Sequence, residues 1–334
     1  MRKLACALVA LAIATPAMAN EVNIYSSRHY DTDDALYENF TAATGIAVNR
    51  IEDDADVLIE RLKSEGELSP ADILVTVDVG RIIRAEDAGV LQKLQSEAAD
   101  AKVPAELHDD ADLWVGVTTR ARLIFYDKND VTEPPQTYEA LADPRYKGMI
   151  CTRSSSNVYM LSLLASIIEH DGEEAAKAWA EGVKNNFARD PVGGDTDQLR
   201  GLISGECDIV LSNHYYYARA FRQEVEGLTD GIEQIGWVFP NQETTGAHIN
   251  ISGVGIAKYS PNADNARTFI EYLLTPDAQK LLADGNDEFP VVAGIEPSEG
   301  VQKLGDFKRD QVALAAVANN VARAQEIYNE VGYK

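Results

Sequence analysis

The sequence predicts an α/β protein of two lobes that are joined by two long crossover strands. Strand-like and helix-like segments alternate in both halves of the chain, which is the pattern of parallel sheets covered by helices. Two β-type stretches, 114–126 and 247–257, are longer than the other strand-like segments. The length of 334 residues also suffices for two domains with separate cores.

The first alternating region is read from hydrophobic spacing and helix-ending residues. Leu36, Tyr37 and Phe40 recur at helical spacing, and Gly45 is typical of a helix end. Buried strands are indicated by short apolar runs. The expected segments are a strand at 22–25, a helix at 33–43, a strand at 46–48, a helix at 54–65 and a strand at 72–75.

The second alternating region lies between the two long β-type stretches, and helices follow the second stretch. If the chain leaves one lobe near 119 and returns near 247, the two strands form a hinge around a ligand cleft. The first lobe is then 20–118 with 247–295, and the second is 119–246 with 296–334. The expected segments are strands at 149–151 and 208–211 and helices at 158–170, 264–274, 276–284 and about 308–330.

The N-terminus predicts export. Met1 to Lys3 is basic, 4–14 is apolar, and Ala17-Met18-Ala19 has the form of a signal-peptidase site, with cleavage after Ala19. The apolar run is shorter than the roughly 20 residues that span a bilayer. We therefore expect a soluble periplasmic protein, the alternative being a short buried N-terminal helix.

The charge excludes two classes of partner. Lys and Arg number 30 against 54 Asp and Glu, for a formal charge of −24. Nucleic acids and anionic membrane surfaces are bound through basic surfaces, so neither fits. A cationic ligand is permitted, although an acidic surface more often serves solubility.

Two cysteines, Cys151 and Cys207, remain once the predicted signal peptide is removed. In an oxidising compartment such a pair favours a disulfide, and two buried thiols are the alternative. Enzyme signatures are missing from the sequence: it has no GxxxxGK, GxGxxG, HExxH or GxSxG motif. An exported enzyme is therefore the weakest of the function classes considered.

Three polar segments rich in tyrosine lie where predicted strands end or turn into helices. They are 25–31, 154–159 and 212–219, in a chain that is only 7% aromatic. Ligands bind at the carboxyl ends of strands in α/β sheets, which makes the shared location informative. Taken alone, the triplet Tyr215-Tyr216-Tyr217 is more often core packing or a partner contact than a ligand set.

These segments resemble a known family. The sequence YSSRHYDTD at 25–33, the N-x-Y-Y-x-A-R motif at 213–219 and the stretch 151–159 are similar to periplasmic ferric-iron-binding proteins. These are solute-binding components of bacterial iron ABC transporters, in the branch that uses several tyrosines. The resemblance implies a two-lobe periplasmic binding protein fold, type II-like, with its ligand cleft between the lobes. It implies Fe³⁺ binding and delivery to an inner-membrane ABC permease for iron uptake.

The resemblance also implies a set of metal ligands. Residues matching Tyr159, Tyr215 and Tyr216 bind iron from the second lobe, and residues matching His29 and Tyr30 belong to the first. Matches to His29 bind the metal in some members and stand off in others. Tyr217, by contrast, departs from the usual residue after the tyrosine pair and could be a third aromatic that packs inward.

Physical chemistry agrees with such a set. Fe³⁺ is a hard cation that prefers charged oxygen donors, and it can hold deprotonated a phenol whose pKa is ordinarily about 10. Zn²⁺ more often recruits His and Cys, and Ca²⁺ suits carboxylates. Arg120, Arg122 and Arg219 are predicted to lower a tyrosine pKa or to hold a carbonate, with carbonate or water completing the coordination. Ion pairs at the surface or between lobes are the alternative for each arginine.

A second function class uses the same scaffold. The tyrosines could stack on or hydrogen-bond a small organic or anionic solute, such as a sugar, a polyamine or a phosphate ester, because the fold alone does not define the ligand. In either case we expect a monomeric, non-enzymatic binding protein.

Overall fold

The computed structural model describes residues 20–28 and 30–334. The predicted signal peptide, 1–19, and the predicted ligand His29 lie outside the described residues. The strands are β1 (Glu21–Ser26), β2 (Ala47–Glu52), β3 (Ile73–Val77), β4 (Leu91–Gln92), β5 (Val115–Asp127), β6 (Ile150–Cys151), β7 (Ile209–Asn213), β8 (Ile235–Val238), β9 (Ile249–Ala257) and β10 (Phe289–Pro290).

Helices alternate with these strands. They are α1 (Asp34–Thr44), α2 (Ala55–Glu65), α3 (Val79–Asp87), α4 (Glu97–Lys102), α5 (Val158–Asp171), α6 (Glu173–Asn185), α7 (Asp195–Ile203), α8 (His214–Arg222), α9 (Ala263–Leu273), α10 (Pro276–Asn286), α11 (Glu299–Gln302), α12 (Leu314–Asn319) and α13 (Val321–Val331). Short 3₁₀ helices connect several of them, at Asp31–Asp33, Gly66–Leu68, Ala105–Leu107, Glu139–Ala142, Pro144–Tyr146 and Thr229–Gln234. In the part of the chain that the structure describes, no helix combines the length and apolarity needed to cross a membrane.

The strands run in the order β2-β1-β3-β9-β5-β7-β6. At one end β1 is parallel to β2 and β3, and at the other end β6 is parallel to β7. The long strands β9 and β5 lie between these parallel groups and are antiparallel to their neighbours. The predicted α/β architecture with two lobes is therefore confirmed, with one parallel group in each lobe.

Strand β5 belongs to both lobes. Its residues up to Ala121 pair with β9, and from Arg122 onward it pairs with β7. The change of partner within one continuous strand is what carries the chain from the first lobe into the second. Every residue of β9, the second crossover strand, is buried.

Each lobe contains tightly packed buried side chains. In the first lobe Phe40 of α1 meets Phe269 of α9 edge to face, with ring centroids 4.9 Å apart. In the second lobe the residues of α5 from Met160 to Ile168 are all buried. A helix that is apolar all round is expected at such a buried position, with neighbours on several sides.

One predicted element is wrong in its bounds. The final helical stretch was expected from about 308, but helix begins only at Leu314 and is divided near Asn320. The reason is that the backbone just before it pairs with another segment. The amide of Ala247 donates to the carbonyl of Lys308, and the amide of Asp310 donates to the carbonyl of Ala247, both at 2.9 Å. Those groups are therefore unavailable to a helix.

The predicted disulfide between Cys151 and Cys207 is confirmed. Cys151 lies in β6 and Cys207 just before β7, the strand parallel to β6, and their Cα atoms are 5.8 Å apart. The two cysteines are 56 residues apart in sequence. Closing a loop of this size stabilises the fold by about 4 kcal/mol in the chain-entropy model.

Candidate metal centre

Four of the predicted ligand tyrosines come together between the lobes. The phenol oxygens of Tyr215 and Tyr159 are 3.2 Å apart, and the rings of Tyr215 and Tyr216 are 4.3 Å apart between centroids. Tyr30, from the first lobe, is close enough that its charge would raise the pKa of the Tyr215 phenol. The first-lobe tyrosine therefore faces the three second-lobe tyrosines; we call these four residues the tyrosine cluster.

Helix caps place the second-lobe tyrosines. The side chain of Asn157 caps α5 by accepting from the amide of Tyr159 at 3.1 Å. Asn213 ends the buried strand β7, and Tyr215 and Tyr216 lie in the first turn of α8 directly after it. All three phenols thus belong to the N-terminal turns of two helices. The positive end of a helix dipole favours negative charge, and so favours the phenolate form.

The next aromatic residue does not join the tyrosine cluster. Tyr217 is buried and packs against Phe125, Phe221 and Trp237, with ring centroids 4.9 to 5.5 Å away. Helical geometry turns successive residues by about 100°, so consecutive tyrosines cannot all face the cleft. Tyr217 is thus the inward-packing aromatic that the sequence allowed.

Three phenols of the tyrosine cluster, those of Tyr30, Tyr215 and Tyr216, have raised pKa values. Burial raises the pKa of Tyr30 to about 12, with the charge of Glu288 acting in the same direction. Burial and the neighbouring phenols raise the pKa of Tyr215 and of Tyr216 well above 10. Since a strong nearby positive charge can displace such protons, the tyrosine cluster is able to bind a highly charged cation.

Arginines surround the tyrosine cluster. The Cζ atom of Arg120 lies 5.9 Å from the ring centroid of Tyr215, and that of Arg122 lies 5.8 Å from the ring of Tyr159. Arg219 lies on α8 and is half-buried.

Two further arginines lie beside the tyrosine cluster, although the sequence analysis gave neither of them a role. Arg28 lies 4.8 Å from the ring of Tyr30, and Arg153 lies 5.7 Å from the ring of Tyr159. Each follows a strand closely, β1 and β6 respectively. Arg28 lies within the selected segment 25–31, and Arg153 directly precedes the segment 154–159, so position at the carboxyl end of a strand is the signal for both.

Two buried carboxylates hold these arginines in pairs. Glu288 accepts from Arg28 and from Arg120, each at 2.6 Å, although neither arginine adjoins it in sequence. The charges of the two arginines lower the pKa of Glu288 in spite of its burial, which acts in the opposite direction. The carboxylate is thus ionised and fixes both guanidinium groups beside the tyrosine cluster.

Asp195, at the start of α7, is the second of these carboxylates. It is fully buried and pairs with Arg122 and, at 3.0 Å, with Arg153. No local pattern distinguishes Asp195 or Glu288 among 54 acidic residues, so the sequence offered no signal for either.

A cavity of about 10 Å³ lies beside the tyrosine cluster, roughly the minimum that holds one water molecule. Buried guanidinium N–H groups of Arg120 and Arg122 have no hydrogen-bond partner among the residues described. The cavity is lined by Arg120, Arg122, Tyr159, Asn213, His248 and Asn250.

The donor chemistry of the tyrosine cluster is all oxygen. Within residues 20–28 and 30–334, no three His, Cys, Asp or Glu side chains are arranged to hold a metal. The usual donors for Zn²⁺ and Ca²⁺ are therefore not assembled in that part of the chain. Phenol oxygens are the hard donors that a trivalent ion prefers.

Comparison with known proteins agrees with this chemistry. Iron uptake protein A1 of Synechocystis is 48% identical over 321 residues, which cover 96% of this chain and 89% of the relative. The structure of Trichodesmium IdiA (FutA), in complex with iron and citrate ligands, superposes with a TM-score of 0.90 at 46% identity and covers 94% of this chain and 100% of that one. The ferric binding protein from Campylobacter jejuni gives a TM-score of 0.88 at 41% identity, covering 94% and 100%.

A family model describes most of the chain. Residues 69–305 match the model of bacterial extracellular solute-binding proteins. With relatives this similar over nearly the whole length, the resemblance to ferric-iron-binding proteins is confirmed. The chain therefore belongs to the bacterial extracellular solute-binding protein family.

Proposed function

We propose that the protein binds Fe³⁺ through the phenolate oxygens of Tyr30, Tyr159, Tyr215 and Tyr216 and delivers it to an inner-membrane ABC permease for iron uptake. One observation carries the proposal: the phenol oxygens of Tyr159 and Tyr215 lie 3.2 Å apart in the second lobe, and Tyr30 of the first lobe is close enough to affect the pKa of Tyr215. Two phenol oxygens at this distance are bridged either by a hydrogen bond or by a cation that both oxygens bind. The names of the relatives, an iron uptake protein and ferric binding proteins, support iron as that cation.

Charge balance explains the choice of phenols. A carboxylate cage would leave several negative charges buried whenever the cleft is closed without metal. Tyrosines with raised pKa values are neutral in that state and become charged only as the metal binds. Binding therefore releases protons, so affinity falls as the pH becomes more acidic.

The remaining coordination positions have separate candidates. His29 directly precedes Tyr30, and we retain it as a fifth ligand. The unpaired N–H groups of Arg120 and Arg122 support a water or a small anion such as carbonate beside the metal. We retain Arg219 as a predicted residue outside the metal ligands that lowers a tyrosine pKa or holds the anion.

The molecular setting follows from the same family role. We propose that a signal peptide is cleaved after Ala19 and that the protein acts as a periplasmic monomer without catalytic activity. Its lobes are 20–118 with 247–295 and 119–246 with 296–334. Strand β5 changes its pairing between Ala121 and Arg122, three residues beyond the first of these boundaries, which supports a lobe boundary within this strand.

Absorption spectroscopy tests the metal and its ligands together. Iron-loaded protein should show a visible phenolate-to-Fe³⁺ charge-transfer band, and a Tyr215→Phe, Tyr216→Phe double variant should lose it. Tyr217→Phe is the matched control, because its phenol packs in the core and should leave the band intact. A colourless wild-type protein after iron loading would refute the proposal. Thermal stabilisation by an organic solute, with none from iron, would favour the alternative ligand class.

A further inference from the structure

Asp78, between β3 and α3, has an unusual backbone. Its φ of 80° and ψ of 131° lie in a region that residues other than glycine rarely adopt. Such a conformation costs on the order of 1–3 kcal/mol and persists only where surrounding contacts hold it. Asp78 lies at the carboxyl end of a first-lobe strand, so the contacts that hold its backbone lie near the cleft.

The side chain of Asp78 is fully buried and accepts three hydrogen bonds. The hydroxyl of Ser162 lies 2.8 Å from both carboxylate oxygens. The side-chain amide of Asn250 donates at 2.8 Å, and the backbone amide of Gly80 donates at 2.9 Å. Burial raises the pKa of Asp78 to about 6, against the effect of the Gly80 and Ser162 hydrogen bonds and of the charges of Arg81 and Arg120. At neutral pH the group is therefore an ionised acceptor.

These three donors come from different parts of the molecule. Gly80 is in α3 of the first lobe, Asn250 is in the crossover strand β9, and Ser162 is in α5. Helix α5 follows β6 and packs in the second lobe, so one carboxylate joins both lobes and a hinge strand. Helix α13 also approaches Gly80, since a Cβ added at Gly80 would lie 3.4 Å from the side chain of Val321.

The second-lobe partner sits on the helix that carries a candidate ligand. Ser162 follows Tyr159 by three residues on α5, about one turn. Side chains three apart share a face of a helix. The face of α5 that Asp78 holds is thus the face that presents Tyr159 toward the first lobe and Tyr30.

We propose that Asp78 and Ser162 are positioning residues, which hold α5 against the first lobe and so keep Tyr159 in register with Tyr30 when the lobes are closed. The expected effect on iron binding rests on the proposed function. The contact between the lobes, which favours the closed form, is expected in the protein without metal as well. The strained backbone of Asp78 is the local cost of bringing a carboxylate to the junction of three elements.

The decisive comparison is between two serines of one helix. Ser162→Ala removes the donor to Asp78. Ser166→Ala, one turn further along α5, is the matched control, since Ser166 is also buried and lies 3.4 Å from a buried aspartate, Asp310. Asp310 is in the chain segment we assign to the second lobe, so losing that contact leaves the lobes joined.

Two measurements report on the lobes and on the metal separately. Small-angle X-ray scattering on iron-free protein should give a larger radius of gyration for Ser162→Ala than for wild type and Ser166→Ala. Release of Fe³⁺ to excess EDTA should be about tenfold faster in Ser162→Ala, since hydrogen bonds to charged groups are among the stronger ones. Release from Ser166→Ala should stay within twofold of wild type.

A double-mutant cycle with Asp78→Asn tests whether the two residues act through one contact. If they do, the double variant should release iron little faster than the faster single variant. Additive effects would overturn the proposal, as would a Ser162→Ala protein that matches Ser166→Ala in both scattering and release. If wild type binds no iron, the proposed function fails, and scattering alone still decides the interlobe contact. If Asp78→Asn does not fold, the two serine variants decide the question.

Discussion

Replacing Asp195 by Asn should destabilise the second lobe strongly. Asp195 is fully buried and is the shared acceptor of Arg122 and Arg153. The amide keeps the shape and removes the charge, which leaves the buried guanidinium of Arg122 without a described carboxylate partner. Removing one partner of a buried ion pair costs about 3–5 kcal/mol.

Urea unfolding at pH 7, followed by tryptophan fluorescence, measures this cost. Trp179 is buried in α6 and reports on the second lobe. Asp190→Asn is the matched control, because Asp190 pairs with Lys334 while both side chains are more than two-thirds exposed. Exposed pairs contribute about 0–1 kcal/mol. The reasoning is refuted if Asp195→Asn lowers the free energy of unfolding by no more than the control does.

Three further changes test the fold. Reducing the bond between Cys151 and Cys207 should lower the free energy of unfolding by about 4 kcal/mol, measured by urea titration with and without reductant; equal midpoints would contradict this. Burial lowers the pKa of His248 to about 4, so the unfolded chain takes up the proton first, and this side chain alone should lower stability by about 3 kcal/mol from pH 6.5 to 4. His248→Gln should show a smaller fall, and an unchanged pH profile would refute the assignment. Phe40→Ala should cost about 3–5 kcal/mol, because Phe40 is fully buried against Phe269, whereas Val57→Ala, at an exposed site, should cost little in the same assay.

The parts of the fold that the sequence could predict depend on local patterns. Helix α1 was placed from the spacing of Leu36, Tyr37 and Phe40, and it ends before Gly45, whose φ is 72°. The tyrosine segments were selected because polar residues followed apolar strands, a relation that covers only a few neighbouring positions. Local signals of this kind hold wherever the segment sits in the folded chain.

The unpredicted parts depend on contacts between distant segments. Glu288 meets Arg28 across 260 residues, and Ser162 meets Asp78 across 84. The helical start expected near 308 failed for the same reason, because that backbone pairs with Ala247 instead. Neither charge nor periodicity identifies such partners until the topology has brought them together.

The change of partners along β5 has a consequence for how a bound anion would leave. Arg120 pairs on the β9 side of the change and Arg122 on the β7 side, and side chains two apart in a strand point the same way. If the lobes rotate where β5 changes its partner, Arg120 stays with β9 and Arg122 moves with β7. An anion that both arginines hold would then lose one of its two partners as the cleft opens.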